Sequence, residues 1–177
     1  MFPHSMEALA IVKGGARASV ARAAFAAAIA IGALHMGEHV VQVVQRYLLG
    51  IPNGNGVLGS VADLEPVHLI YNVSYLVGLI WVAASIRPFL RSDRVSALTV
   101  QLALTLQVWH VFEHYLKFAQ YLAFGLKNGT GGFFGAGPGG LLPLVAVPVL
   151  HFVYNTAVFL PLLVVFARYV RSRARAA

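Results

Sequence analysis

The sequence predicts an all-α membrane protein: four transmembrane helices in an antiparallel four-helix bundle, made as a tandem parallel repeat of a two-helix unit. Three observations predict this. Only 11% of the 177 residues are charged while 59% are hydrophobic, against about 25% charged in an ordinary soluble domain. The basic residues collect in three places. The few ionisable groups inside the apolar runs recur at a fixed offset.

The basic groups set the orientation. Lys13, Arg17 and Arg22 precede the first apolar run, Arg87, Arg91 and Arg94 separate the second from the third, and Arg168, Arg171, Arg173 and Arg175 close the chain. A net charge of +7 placed this way follows the positive-inside pattern rather than a nucleic-acid patch. Both termini are expected on the cytoplasmic side of a bacterial inner membrane, with lipids and no nucleic acid as partners. There is no cysteine, so a disulfide scaffold is excluded.

The four spans follow from the apolar runs, each near the roughly 20 residues that a bilayer requires. The first covers residues 23–47. Its alanine-rich start behind three basic residues resembles a signal peptide, but the apolar stretch continues to residue 49 and favours an uncleaved span. The second runs over 65–86 and begins with Glu65-Pro66, proline being suited to a first helical turn. A basic turn with Pro88 leads to the third, capped by Ser92 or Asp93 and ending near residue 125. The fourth covers 143–169 and holds Pro148 and Pro161, tolerated where neighbouring helices satisfy the freed carbonyls. The connections 50–64 and 126–142 are glycine-rich and expected as outside loops, the second a flexible lid. The string Gly54-Asn-Gly56-Val-Leu-Gly59 matches a dinucleotide fingerprint but lacks the preceding strand that such a site needs. The whole chain, 1–177, reads as one transmembrane domain.

The repeat is explicit. His35-Met-Gly-Glu38-His39 is matched by His110-Val-Phe-Glu113-His114, Gln45 by Gln120 and Gly50 by Gly125, all at an offset of 75. His68-Leu-Ile-Tyr71-Asn72 is matched by His151-Phe-Val-Tyr154-Asn155 at an offset of 83. The second outside loop is therefore longer by eight residues. Repeat 1 covers about 20–90 and repeat 2 about 92–171. Both copies start on the same side, so a pseudo-twofold axis along the membrane normal is expected, as in other parallel-repeat membrane folds.

Depth and phase bring the repeated groups together. At 1.5 Å per residue, His35 lies about 20 Å from the basic rim, His110 about 24 Å, His151 about 26 Å and His68 about 28 Å. All four motifs fall in one outer layer of a hydrocarbon core about 30 Å thick. Spacings of three and four residues share a helical face. His35, Glu38, His39, Gln42 and Gln45 or Arg46 form one stripe, matched by Gln107, His110, Glu113, His114, Lys117 and Gln120. Tyr71, Asn72 and Tyr75 continue from His68, and Tyr154 and Asn155 from His151. Lipid cannot satisfy such stripes, so they are expected to face one another. His4 stands outside the repeat and reads as a terminal surface residue.

Six histidines and two glutamates in one layer point to a metal centre, since neutral imidazole is the commonest side-chain ligand. Without thiolates the donor set suits iron, with zinc, copper or manganese as alternatives. The repeat suggests two metal ions. Each takes three of His35, His39, His68, His110, His114 and His151, with Glu38 and Glu113 bridging. Asn72 and Asn155 are read as weak or outer ligands, and Tyr71 and Tyr154 as hydrogen-bonding groups beside the metals. The alternative is a set of structural histidines tied to glutamates.

The expected function is a dinuclear non-haem iron oxidoreductase acting on a lipid or another apolar substrate that arrives laterally. It is similar in chemistry to histidine-rich membrane hydroxylases, whose usual histidine boxes the sequence does not contain. A b-type haem electron carrier is the first alternative, since paired histidines on facing helices ligate haem. A zinc hydrolase is another, because His-x-x-Glu-His is also an inverted zinc-protease motif; two copies sharing one centre argue against it. A metal-transport subunit is the last, opposed by the uncharged inner halves of the spans. Packing into a homo-oligomer or against an unknown membrane partner is open to so small a bundle.

Overall fold

The computed structural model describes residues 4–51, 56–58, 65–124, 130–137 and 139–175, with the side chains of the first helix described from residue 19 onward. The side chain of His4, most of the first glycine-rich connection, and residues 126–129 and 138 of the second lie outside the described residues.

The chain is mostly helical. Helix α1 spans His4–Tyr47, α2 Glu65–Ser85, the short α3 Arg87–Ser92, α4 Arg94–Phe124 and α5 Val147–Ala174. Two two-residue strands, β1 (Gly135–Ala136) and β2 (Val145–Ala146), pair in parallel in the second long connection. Among the described residues, four helical segments are long and apolar enough to cross a membrane: Ser19–Tyr47, Glu65–Ser85, Arg94–Phe124 and Val147–Ala174. The fourth begins at Val147 rather than near residue 143, because Val145 and Ala146 are taken into β2. Pro148 then falls in the first turn, where its missing N–H costs nothing.

Asp93, not Ser92, caps α4. Its Oδ1 accepts from Ser96 N at 3.1 Å and its Oδ2 from Ser96 Oγ at 3.1 Å, filling an otherwise orphaned donor of the first turn. Arg168 from α5 reaches the same carboxylate, donating through Nε at 2.9 Å and Nη2 at 2.7 Å. This clip ties the start of α4 to the end of α5.

Helix α1 packs mainly on α5, α2 on α4, and α4 on α5, while α1 and α2 are the least closely packed of the neighbouring pairs. The interior divides by polarity along the bundle. At the end that carries α3 and the C-terminus, the core is apolar: Phe25, Leu79, Val82, Ile86, Val100, Val158, Leu162, Val165 and Tyr169. Phe25 meets Phe166 edge-on with centroids 5.1 Å apart, and Tyr169 joins Phe89 at 5.4 Å. At the loop end the buried residues are His39, Gln42, Glu65, Asn72, Gln107, His110, Glu113, His114, Lys117, Gln120 and His151. The outer surface is the reverse. Leu34 is 78% exposed and Leu48 77%, with Ile70, Val77, Leu102, Val108, Leu122 and Val164 also exposed. An apolar exterior of this extent belongs in hydrocarbon, and a polar interior at one end of it has to satisfy itself.

A candidate metal centre of histidines and acids

The structure brings all six repeated histidines into one connected cluster. Within the first half, the rings of His35 and His39 lie 4.5 Å apart, His35 and His68 6.1 Å, and His39 and His68 6.5 Å. Within the second, His110 and His114 are 4.6 Å apart, His114 and His151 4.8 Å, and His110 and His151 5.5 Å. The halves meet through His39 and His151 at 5.5 Å and His68 and His114 at 5.5 Å. The helical spacing of four residues, which puts consecutive turns on one face, accounts for the two close pairs. The crossing of the helices accounts for the rest.

Several nitrogens of this cluster have nowhere to go. Both ring nitrogens of His110, both of His114 and Nε2 of His151 are buried without a hydrogen-bond partner. Such orphans are rare in folded proteins, and each one calls for an explanation. In the first half both nitrogens of His39 are engaged: Nδ1 lies 2.8 Å from Gln42 Oε1, and Nε2 3.1 Å from His35 Nε2. Among the described residues, no three His, Asp or Glu side chains stand arranged to hold a metal ion. The rings meet by faces and edges, with their nitrogens not directed at a common point.

The two glutamates of the His-x-x-Glu-His boxes are held from outside by loop backbone. Glu38 Oε1 accepts from Leu58 N at 2.8 Å. Glu113 Oε1 accepts from Phe133 N at 2.8 Å and Phe134 N at 3.1 Å. Glu113 Oε2 is buried and unpartnered. Close approach of the loops depends on two glycines with left-handed backbone, Gly56 (φ 80°) and Gly132 (φ 68°). A Cβ on the first would collide with the Glu38 carboxylate, and a Cβ on the second with Glu113 and Lys117. The glutamines of the stripes clamp the same loops. Gln45 exchanges two hydrogen bonds with the Gly56 backbone (2.8 and 3.2 Å), and Gln120 exchanges two with Gly132 (2.8 and 3.1 Å). The second loop is thus packed onto the cluster, with Thr130 fully buried.

The asparagines and tyrosines lie beside the histidines. Asn72 Nδ2 donates to His68 O and Asn155 Nδ2 to His151 O, each at 2.9 Å, and Asn72 Oδ1 accepts from Gln107 Nε2 at 3.1 Å. Both polar side-chain atoms of Asn72 are thus engaged. Tyr71 stacks on His35 with centroids 4.2 Å apart, and Tyr154 lies 5.0 Å from His110. Trp109 Nε1 donates to Tyr154 Oη at 2.7 Å.

Sequence reasoning missed Glu65, which it read only as the start of a helix. Glu65 is buried, pairs with Lys117 at 2.5 Å, and lies 3.6 Å from His114 Nδ1. The available signal was Lys117, a cation standing where the offset of 75 gives the first half the neutral Gln42. No protein family matches this chain, and no curated protein or solved structure is significantly similar to it.

Proposed function

We propose that this protein is a membrane-embedded metalloprotein whose six histidines hold a dinuclear centre, and that it is a non-haem iron oxidoreductase acting on an apolar substrate. The observation that carries the reading is the set of five buried, partnerless imidazole nitrogens on His110, His114 and His151. Burying them unpaired is costly, and a cation bound by one nitrogen of each ring removes much of that cost. Ring spacing favours the same reading. With metal–nitrogen bonds of about 2.0–2.1 Å, two imidazoles on one tetrahedral metal have centroids about 5 Å apart. The second-half rings lie at 4.6, 4.8 and 5.5 Å, so turning the rings suffices to direct their nitrogens inward.

Each half supplies one position: His35, His39 and His68 for the first metal, His110, His114 and His151 for the second. Glu113 keeps Oε2 buried and unpartnered while two backbone N–H groups hold its other oxygen. This is how a ligating carboxylate is usually oriented. The matched bonds Glu38–Leu58 and Glu113–Phe133, and Asn72–His68 and Asn155–His151, support a tandem repeat about a pseudo-twofold axis. The basic rims support cytoplasmic termini.

The substrate class rests on a groove. Ala24, Ala28, Ile31, Tyr71, Tyr75 and Trp81 are among the residues lining a space of about 370 Å³ between α1 and α2. It is almost wholly apolar and opens on the lipid-facing side, and Tyr71 at its wall stacks on His35. A lipid or isoprenoid tail entering sideways reaches the cluster there. A haem reading fares worse, because rings in contact across the halves at 5.5 Å leave no slot for a porphyrin plane. A transport role is opposed by the apolar core that closes the other end of the bundle.

The test is to replace His110 or His151 with alanine in the full-length protein. Either change should remove one metal of two and abolish oxygen-dependent turnover of apolar substrates. Unchanged metal content in both variants would overturn the assignment.

A further inference from the structure

His39 and His114 occupy equivalent positions in the two His-x-x-Glu-His boxes, yet their Nδ1 atoms meet different chemistry. His39 Nδ1 lies 2.8 Å from Gln42 Oε1. The offset of 75 puts Lys117 where the first half has Gln42, and an ammonium group cannot accept a hydrogen bond. What faces His114 Nδ1 is Glu65 Oε2, at 3.6 Å. Both atoms are buried and otherwise without a hydrogen-bond partner. Glu65 Oε1 is held by Lys117 Nζ at 2.5 Å.

Glu65 has no counterpart either, since the offset of 83 puts Pro148 there. The two halves therefore differ at both members of one ion pair. Neither difference is tolerable alone, because a buried cation or carboxylate without its partner is strongly destabilising. Together they restore at His114 the acceptor that Gln42 supplies to His39. The gap of 3.6 Å is too long for a hydrogen bond, but a small rotation of either side chain closes it and satisfies two orphaned atoms at once.

We propose that Glu65, anchored by Lys117, is a positioning residue for His114: its Oε2 accepts a hydrogen bond from Nδ1–H and so turns Nε2 toward the metal position, as Gln42 does for His39. A carboxylate partner makes an imidazole a stronger donor than an amide partner does. The two metal positions are then unequal, and the one built on His114 fills first. That consequence rests on the metal reading above; the Glu65–His114 pairing does not.

The experiment uses full-length protein in detergent micelles, with two readouts. Ring-nitrogen NMR of metal-free, ¹⁵N-histidine-labelled protein reports the His114 tautomer, and anaerobic titration with Fe²⁺ reports binding. Double variants avoid a lone buried charge. Glu65→Leu with Lys117→Leu removes the acceptor, while Glu65→Leu with Lys117→Gln supplies it from position 117, as in the first half. The first should lose the Nδ1–H tautomer of His114 and weaken the tighter Fe²⁺ step about 10- to 100-fold. The second should recover the tautomer and bind two Fe²⁺ with nearly equal affinity. Glu65→Gln with Lys117→Met keeps volume and an acceptor at position 65 without a lone buried cation, and should move the His114 ring resonances but not those of His39. Fe²⁺ binding with an unchanged His114 tautomer in all variants would overturn the pairing and leave the metal reading intact. A tautomer change without Fe²⁺ binding in the wild type would do the opposite, and would remove the inequality of the two positions.

Discussion

The two halves of the molecule carry the same imidazoles but enclose them differently. In the second half His110 and Glu113 are 0% exposed and His114 is 1%. The loop over them is stitched to Glu113 and Gln120 and carries the β1–β2 pair. In the first half only His39 is comparably buried, while His35, Glu38 and His68 are half-buried. The groove between α1 and α2 lies on that side, and the tight α4–α5 contact lies on the other. The difference teaches that helices of the same pattern can position a polar cluster while loop length and helix separation decide which side is sealed. The sealed side suits holding an ion. The open side suits admitting a substrate.

The largest contrast between the halves should come from Lys117 and Gln42. Lys117→Met strands the buried carboxylate of Glu65 and should cost about 3–5 kcal/mol. Gln42→Met removes the neutral hydrogen bond to His39 and should cost less, about 1–3 kcal/mol. Unfolding in mixed micelles would measure both. Equal losses would mean that the two halves are electrostatically alike.

Next come the loop glycines. Alanine at either Gly56 or Gly132 meets a left-handed backbone penalty of about 1–2 kcal/mol. Gly132→Ala should be the worse, since its Cβ meets the fully buried Glu113 and Lys117. Thermal midpoints of the two variants, compared directly, check the ordering.

The two tryptophans report on openness. Trp81 lines the groove and is 53% exposed, whereas Trp109 packs against Phe112, Phe133 and Phe134. In bilayers of brominated lipid, Trp81 fluorescence in a Trp109→Phe variant should be quenched more than Trp109 fluorescence in a Trp81→Phe variant. The reverse order would close the proposed entry.

The smallest effect belongs to the clip at the basic end. The Ser96 backbone N–H, then the Arg168 guanidinium, hold the Asp93 carboxyl below its ordinary value of 3.8. A carboxyl lowered in the folded state adds stability that is complete above the unfolded value and fades as pH falls through the folded one. Asp93→Asn should therefore lower the thermal midpoint slightly at pH 7, with the difference from wild type vanishing as the medium is taken well below pH 4. A difference that persists there would assign the effect to helix capping alone.

Much of this was legible in the sequence for a physical reason. Ionisable groups such as His35 and His110 in an apolar run have no option but one another, so stripe and depth sufficed to collect all six imidazoles. Hydrocarbon length likewise marked the four spans. The orientation of individual atoms was not legible. Glu38 and Glu113 each give one oxygen to loop N–H groups, and backbone amides leave no trace in residue identity. Gln45 and Gln120 turn to the loops for the same reason. Glu65 was hidden because its partner lies on another helix, although the simultaneous departures at positions 117 and 65 from the repeat carried the signal. The β1–β2 pair, two residues to a strand, has no periodicity to read.

The most direct measurement is the metal content of purified wild-type protein, by elemental analysis alongside an absorption spectrum. The account predicts about two iron ions per chain, expected from three histidines in each half, and no Soret band. A metal-free protein after iron-replete expression, with its fold intact, would contradict it and leave the histidine cluster a structural network.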